Sequence, residues 1–378
     1  MDAIRLMGGR MLVEGAFVAG DLRLADGVIA GDGGARGFDA SGLLVLPGIV
    51  DIHGDAFERQ MQPRPGIDFP IDLALVETEK QLLANGITTA LHGITLSWEP
   101  GLRSADSWRA LLDGLAARRW TCDMRVHLRW EAYNLDALDM AIADIAAGRV
   151  HLLAFNDHTP SILKKLGDDA TAAKYSDRAG MKVAAFRELA QRVAGRAAEV
   201  PAALARIAAA ARAAGLPMAS HDDDAVEVRD SFRAMGAHVC EFPMAEAVGK
   251  AARDSGDHVV MGSPNVVRGR SHLGWASAAR LAEAGICSVL SSDYYYPCLL
   301  RAPFILAGRG VLSLAQAWAL VSANPAAAAG LGDRGRNAPG LRGDVLAVED
   351  RGGVPHLVAA FAEGRIAWMG PEGQARLG

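Results

Sequence analysis

The stretch LLVLPGIVDIHGD, residues 43–55, decides the fold. It is a continuous apolar run that ends in the polar residues His53 and Asp55, and such runs are typical of parallel strands buried on both faces. Seven further short apolar runs with polar ends follow it along the chain: GITTALHG (86–93), MRVHLRWE (124–131), HLLAFND (151–157), PMASHDD (217–223), HVCEFPM (238–244), HVVMGSPN (258–265) and CSVLSSD (287–293).

Amphipathic, Ala-rich segments separate these runs, and their apolar spacing indicates helices. They cover residues 72–84, 105–118, 136–147, 181–213, 224–235, 245–255 and 275–285. Eight strands that alternate with helices predict an α/β fold, a (β/α)8 TIM-like barrel. The alternative is an open doubly wound sheet, which would need a Gly-rich phosphate loop after the first strand. DIHGDAFERQ is not such a loop.

Short strand-like segments with Gly turns occur at both ends of the chain. We expect residues 1–46 and 331–378 to form one small β-sandwich domain, and residues 47–330 to form the barrel. The gap at 158–216 is longer than an ordinary crossover. It is interpreted either as a substrate loop or as a surface insertion.

Composition excludes several classes of protein. The chain has 378 residues, of which 51% are hydrophobic and 22% charged, so disorder is excluded as its main state. Its 39 Lys and Arg against 44 Asp and Glu give a net charge of −5, and no basic excess indicates a nucleic-acid partner. The four cysteines have no CxxC spacing, which favours a reducing compartment such as the cytoplasm. No apolar run reaches the roughly 18 residues of a membrane span, so no membrane partner is expected.

The polar strand ends predict a metal site. In a barrel the carboxyl ends of the strands converge at one mouth. Histidine and carboxylate side chains together suit zinc, manganese or iron. We therefore predict one or two divalent ions, zinc first, with manganese or iron as alternatives. The predicted ligands are His53, Asp55, Glu131, His158, His221 and Asp293.

Other polar residues near these ends receive structural interpretations. His127 lies four residues before Glu131 on the same strand and is interpreted as structural. Three acids follow His221, at 222–224, and two of them are interpreted as acids at the start of a helix.

This residue set predicts a metal-dependent hydrolase. A bound divalent ion lowers the pKa of its water from 15.7 towards about 7, which provides hydroxide at neutral pH. A carboxylate can take the remaining proton, and Asp293 is the candidate for that catalytic role. No GxSxG nucleophile motif competes with this interpretation.

Arginines beyond two of the strands indicate an anionic substrate, because the planar guanidinium matches phosphate oxygens. Alone, each would be interpreted as a solvated surface group. The predicted substrate-binding residues are Arg59, Arg64, Asn265, Arg268, Arg270 and His272.

Taken in order, the motifs resemble a known family. LPGIVDIHGD, SANPA and GLRGDVLAVE are similar to signatures of the amidohydrolase superfamily, which pairs a metal-bearing barrel with a small β domain from both chain ends. More narrowly, the chain resembles the α-D-ribose 1-methylphosphonate 5-triphosphate diphosphatases of phosphonate metabolism. The motifs that carry this likeness are PRPGIDFP, HLRWE, NDHTP, ASHDDD, MGSPNVVRG and LSSDYYYPCLL.

The resemblance implies hydrolysis of a small phosphorylated substrate, the ribose 5-triphosphate, to the 5-phosphate and pyrophosphate by metal-bound hydroxide. It also matches the six predicted ligands to metal-site positions. Segments 161–180 and 269–275 depart from the narrower family. They keep open a paralogue, a deaminase or amide hydrolase with another small anionic substrate. A third hypothesis is a non-catalytic binding module. Assembly into a homo-oligomer is also left open.

Overall fold

The computed structural model describes residues 3–64, 66–269 and 277–378. Two eight-stranded sheets and the helices around them account for this part of the chain. Strands are numbered in chain order.

The first sheet is the predicted barrel. Its strands are all parallel and neighbour one another in sequence order: β6 (Ile49–Gly54), β7 (Ile87–Leu96), β8 (Asp123–Glu131), β9 (Leu152–Asn156), β10 (Met218–His221), β11 (Val239–Glu241), β12 (His258–Gly262) and β13 (Val289–Ser291). Each strand overlaps one of the eight apolar runs, so the prediction of eight barrel strands is confirmed.

The barrel closes where its last strand meets its first. Gly54 and Asp293 form a parallel bridge. The Asp293 amide donates to the His53 carbonyl at 3.0 Å, and the Asp55 amide donates to the Asp293 carbonyl at 2.9 Å. Residues predicted to carry the chemistry thus also hold the seam together.

Branched and small apolar side chains fill the barrel, as expected for parallel strands buried on both faces. One cluster of buried residues draws on seven of the eight strands and includes Ala326 from a later helix. Its strand members are Val50, Ile52, Leu91, Leu152, Ala154, Ala219, Val239, Val260 and Val289.

The second sheet comes from both ends of the chain, as predicted, and is mostly antiparallel. Its strands are β1 (Ile4–Val13), β2 (Ala16–Ala25), β3 (Val28–Ala30), β4 (Arg36–Asp39), β5 (Leu44–Pro47), β14 (Val345–Asp350), β15 (Pro355–Ala362) and β16 (Arg365–Met369). The two ends meet at β5 and β14, where Leu44 pairs with Val348 and Pro47 with Val345.

Each of the seven predicted helical segments contains a helix, and further helices lie outside them. The helices span Glu58–Met61, Ile71–Ala84, Ala105–Ala116, Leu138–Ala146, Thr159–Lys165, Asp169–Arg178, Val183–Ala194, Val200–Ala213, Val226–Ala234, Glu246–Asp254, Ser263–Arg268, Ala278–Glu283, Pro297–Gly308, Leu314–Ala319, Ala323–Ala328 and Pro371–Gln374. Short 3-10 turns span Gly101–Arg103, Leu135–Ala137 and Ala197–Glu199. Among the described residues no helix combines the length and the apolar character needed to cross a membrane.

The long gap after β9 is helical rather than an extended loop. Its first part forms Thr159–Lys165 and Asp169–Arg178. The predicted helix 181–213 is two helices, Val183–Ala194 and Val200–Ala213, and Pro201 lies in the first turn of the second, where a missing N–H costs no hydrogen bond.

Candidate metal centre

The structure brings the six predicted ligands to one end of the barrel. His53 and Asp55 lie at the end of β6. The other four residues lie at or just after the ends of four further strands. Glu131 ends β8, His158 follows β9, His221 ends β10 and Asp293 follows β13.

A first group of possible ligands combines His53, His221 and Glu241. Their ligand atoms lie within 4.8 Å of one another. The Nδ1 atom of His53 is 3.0 Å from Oε2 of Glu241, yet neither atom has a hydrogen-bond partner among the described residues, and neither does Oε1 of Glu241. Buried polar atoms without partners are costly.

A divalent ion fits this group. Two ligand atoms bound tetrahedrally to one zinc ion lie about 3.4 Å apart, close to the spacing between His53 and Glu241. Burial lowers the pKa of His53, which keeps its imidazole neutral as a ligand must be. The donor set of nitrogen and carboxylate oxygen is also one that zinc, manganese and iron accept.

A second group shares His221 and adds His158 and Asp222. Nδ1 of His158 lies 2.5 Å from Oε1 of Glu131, and its Nε2 lies 3.4 Å from Oδ2 of Asp222. Burial alone would lower the pKa of His158, but the Glu131 carboxylate and these two bonds raise it to about 9. Burial alone would raise the pKa of Asp222. The neighbouring His221 and His158 outweigh burial and hold that pKa well below its usual range.

Asp293 lies just after β13, the last strand of the barrel. Burial, reinforced by the nearby Asp55 carboxylate, raises the pKa of Asp293 to about 7. A Cβ atom at Gly262 would lie 2.9 Å from Oδ2 of Asp293, so only glycine leaves room for this carboxylate. A carboxyl group with a pKa near neutrality can both accept and release a proton.

Three strand ends carry strained backbone. The φ angles of Asp222, Phe242 and Asp293 are 59°, 52° and 55°. These values lie in the left-handed region, which residues other than glycine rarely adopt. The ring of Phe242 lies against both His53 and His221, with centroid distances of 4.8 and 5.1 Å. Such strain persists where surrounding contacts enforce it, commonly at functional sites.

Two of the predicted substrate-binding arginines meet at the residue after Asp293. Arg59 donates to the carbonyl oxygen of Tyr294, and Nη1 of Arg268 is 3.3 Å from its hydroxyl. Oδ1 of Asn265 accepts from the Ala278 amide at 3.1 Å. Arg64 is exposed and its backbone bridges to residue 67. Arg270 and His272 lie outside the described residues.

Sequence reasoning missed three groups at this site: Glu241, Asp222 and Arg129, whose Nη2 lies 3.3 Å from Nε2 of His221. Glu241 ends β11 within the apolar run HVCEFPM, which is the same signal that predicted the other candidate ligands. The interpretation of two of the acids 222–224 as acids at the start of a helix is wrong, because the helix begins at Val226 with Ala225 in the cap position. His127, interpreted as structural, is buried, with its Nδ1 bonded to the Ile52 carbonyl at 2.9 Å and its Nε2 facing Glu241 at 3.7 Å.

The closed parallel barrel and the second sheet from both chain ends match the fold of solved amidohydrolases. The chain is similar to an amidohydrolase from an environmental sample of the Sargasso Sea, with a TM-score of 0.65 and 17% identity over 97% of this chain and 93% of that one. It is also similar to dihydropyrimidinase from Brevibacillus agri NCHU1002, with a TM-score of 0.61 and 12% identity over 96% and 94% of the two chains.

In sequence, the chain resembles one particular diphosphatase, as its motifs predicted. It is 28% identical over 370 residues to the alpha-D-ribose 1-methylphosphonate 5-triphosphate diphosphatase of Escherichia coli (strain K12), which covers 94% of this chain and 98% of that protein. No protein-family model matches the chain.

Proposed function

We propose that this protein is a metal-dependent hydrolase that cleaves α-D-ribose 1-methylphosphonate 5-triphosphate to the 5-phosphate and pyrophosphate. The observation that carries the proposal is the buried group of His53, His221 and Glu241, whose partnerless atoms fit a divalent ion. The similarity to the Escherichia coli diphosphatase over nearly the whole chain supports the substrate.

The divalent ion would be held by His53, Glu241 and His221, with Asp55 and Asp293 beside them. When bound, it supplies a lowered pKa for water and positive charge against the attacked phosphoryl group. Proton transfer and substrate binding are carried out by side chains of the protein.

Asp293 moves the proton in this proposal. A pKa of about 7 lets its carboxylate accept a proton from the attacking water and hold it until the pyrophosphate leaves. Its backbone is fixed by the barrel seam, since its amide and carbonyl both bond to β6 and its extension. The carboxylate therefore stays in one place through the reaction, which avoids reorganisation.

Arg59 and Arg268 bind the triphosphate in this proposal. Both contact Tyr294, next to Asp293, and both side chains are exposed towards solvent. A net charge of −5 disfavours a polyanion at long range, so local arginines and the ion must provide the attraction. Guanidinium groups pair with phosphate oxygens through two parallel hydrogen bonds.

The test is a phosphorus NMR assay with purified protein. Chelator-treated protein is reloaded with zinc or manganese and incubated with the triphosphate. We expect pyrophosphate and the 5-phosphate to appear in equal amounts with reloaded protein and not with the chelated form.

Reloaded protein that leaves the triphosphate intact would overturn the proposal. Turnover of an amide or amidine panel by the same sample would then assign it to the amide-hydrolase alternative. An Arg59→Met and Arg268→Met double variant separates substrate binding from chemistry. It should raise KM for the triphosphate far more than it lowers kcat.

A further inference from the structure

Arginines line a second cleft, at the opposite end of the barrel from the candidate metal centre. The cleft has a volume of about 360 Å³ and lies where the start of β8 meets the carboxyl-terminal part of the chain. Its lining includes two carboxylates, Asp123 and Glu363. The five arginines in the lining are Arg118, Arg119, Arg125, Arg334 and Arg342. Five positive and two negative charges thus surround this cleft, although the whole chain has a net charge of −5.

The length of β8 separates this cleft from the metal centre. The strand has 9 residues, with Asp123 at its start and Glu131 at its end. At about 3.3 Å per residue, its two ends lie roughly 26 Å apart. Barrel enzymes place their catalytic groups at the carboxyl ends of the strands. A ligand in this cleft would therefore lie far from the substrate site.

Asp123 is shared by two of the arginines. Its Oδ2 accepts a hydrogen bond from Nε of Arg125 at 3.0 Å and another from Nη1 of Arg334 at 2.6 Å. Burial alone would raise the pKa of Asp123, but the charges of these two arginines outweigh burial and lower it. Asp333 also pairs with Arg334, at 2.8 and 3.0 Å, but it does not line the cleft. One carboxylate in the wall thus faces two guanidinium groups.

Glu363 is shared in the same way. Its Oε1 accepts from Nη1 of Arg342 at 2.8 Å, and its Oε2 accepts from Arg119. Asp344 pairs with Arg342 at 2.9 and 3.0 Å without lining the cleft. Arg119 follows the helix Ala105–Ala116 of the barrel, whereas Glu363 directly precedes β16 of the second sheet. Both parts of the fold therefore build the cleft.

Three of the arginines keep hydrogen-bond donors that the protein does not use. A guanidinium has five N–H donors. Among the described residues, Arg119 and Arg125 each donate one hydrogen bond, and Arg118 forms an ion pair with Glu79 at 3.6 Å. The guanidinium carbon of Arg118 lies 3.7 Å from the ring centroid of Trp120, which holds this side chain in place. The remaining donors of these three arginines are available to a ligand.

We propose that this cleft binds a small polyphosphate, with pyrophosphate as the simplest such anion. Guanidinium groups pair with phosphate oxygens through parallel hydrogen bonds, and an anion with several charged oxygens can engage Arg118, Arg119 and Arg125 together. The net charge of −5 and the small volume of the cleft disfavour a large polyanion such as a nucleic acid. The cleft is separate from the metal centre, so this inference does not rest on the proposed function.

The experiment is a calorimetric titration with pyrophosphate at low ionic strength, where charge interactions are least screened. The starting protein carries Arg59→Met and Arg268→Met, because those arginines are the phosphate contacts proposed at the barrel mouth. Arg118→Met and Arg119→Met are then added, and circular dichroism verifies the fold. We expect pyrophosphate to bind the starting protein. The two added substitutions should raise its Kd at least about tenfold, because each removes hydrogen bonds to a charged group.

Arg109→Met is the matched control. Arg109 is exposed on the helix Ala105–Ala116, pairs with Asp106 at 3.0 Å and does not line the cleft. In the same starting protein, Arg109→Met should leave the Kd of pyrophosphate unchanged. A loss of affinity equal to that caused by Arg118→Met and Arg119→Met would show a general effect of surface charge and would overturn the proposal.

Two further outcomes would overturn the proposal: no binding of pyrophosphate to the starting protein, or a Kd that the cleft substitutions leave unchanged. Inorganic phosphate has fewer oxygens and should bind more weakly than pyrophosphate. Equal affinity for the two anions would overturn the assignment to a polyphosphate. If the protein with both cleft substitutions does not fold, Arg118→Met alone takes its place, because Arg119 bonds to Glu363 and Arg118 contributes an ion pair only.

Discussion

Ser292 offers a sharp test of how the barrel seam is stabilised. Asp51 is a buried carboxylate in the first barrel strand that accepts three hydrogen bonds. The Ser292 hydroxyl donates to Oδ2 at 2.5 Å, and the amides of Ser292 and His53 donate to Oδ1 at 3.0 and 3.3 Å. Replacing Ser292 by alanine removes the bond to Oδ2 and leaves that atom buried.

The expected loss follows from the charge on the acceptor. A hydrogen bond to a charged buried group contributes about 1.5–3 kcal/mol, so Ser292→Ala should lower the free energy of unfolding by that amount at pH 8. Ser291 is the matched control. Its hydroxyl is also buried but has no hydrogen-bond partner among the described residues, so Ser291→Ala should be neutral or stabilising.

The decrease in the free energy of unfolding caused by Ser292→Ala should also depend on pH. Burial raises the pKa of Asp51 to about 6 from 3.8, and the Ser292 hydroxyl is the strongest influence opposing that rise. Because the folded pKa is the higher one, the contribution of Asp51 to stability is greatest below pH 3.8 and is lost as the pH rises through 6. Ser292→Ala raises the folded pKa further, so the gap between variant and wild type should widen from pH 5 to pH 8.

Urea unfolding followed by tryptophan fluorescence measures all three proteins at pH 5 and pH 8. The midpoint should move while the slope with urea stays constant. Equal stability of Ser292→Ala and Ser291→Ala, within about 0.5 kcal/mol, would refute the reasoning. A gap that does not change with pH would refute the assignment of the effect to Asp51.

Three other predictions follow from the buried charges. Arg229→Met should cost about 3–5 kcal/mol in urea unfolding, because it leaves Asp223 and Asp257, at 3.4 and 3.5 Å from the guanidinium, buried without it. A loss near zero would mean that solvent reaches those acids. Asp293→Asn should lower turnover at least about 10²-fold with an unchanged circular dichroism spectrum, and an active variant would remove Asp293 from its proton-transfer role. Glu241→Gln should weaken zinc binding by more than about tenfold in a chelator competition, and unchanged affinity would exclude Glu241 as a ligand.

The barrel was predictable because its signal is repeated. Each strand is a short apolar run that must be buried on both faces, and each ends in polar residues at the mouth. The six candidate ligands were predicted in this way, and all six residues lie at one end of the barrel. The prediction of these six residues depends only on the local sequence pattern and on the rule that the ends of parallel strands converge.

The remaining groups depend on geometry that local pattern does not contain. Arg129 lies within a strand rather than at its end, and its reach into the centre depends on the missing side chain of Gly93. Asp222 turns towards His158 because its backbone is left-handed, whereas acids before a helix more commonly cap it. Glu241 carried the correct signal, but a charged strand end does not reveal whether its side chain points inward.

The pairing of β5 with β14 has a consequence for synthesis on the ribosome. One edge of Leu44–Pro47 pairs with β1, whereas the other edge finds its partners in Val345–Val348, about 300 residues later. At about 5–20 residues per second, the amino-terminal strands wait roughly 15–60 s with that edge unpaired. An apolar strand edge exposed for so long invites association with other chains, so the nascent protein should depend on chaperones until its last strands emerge.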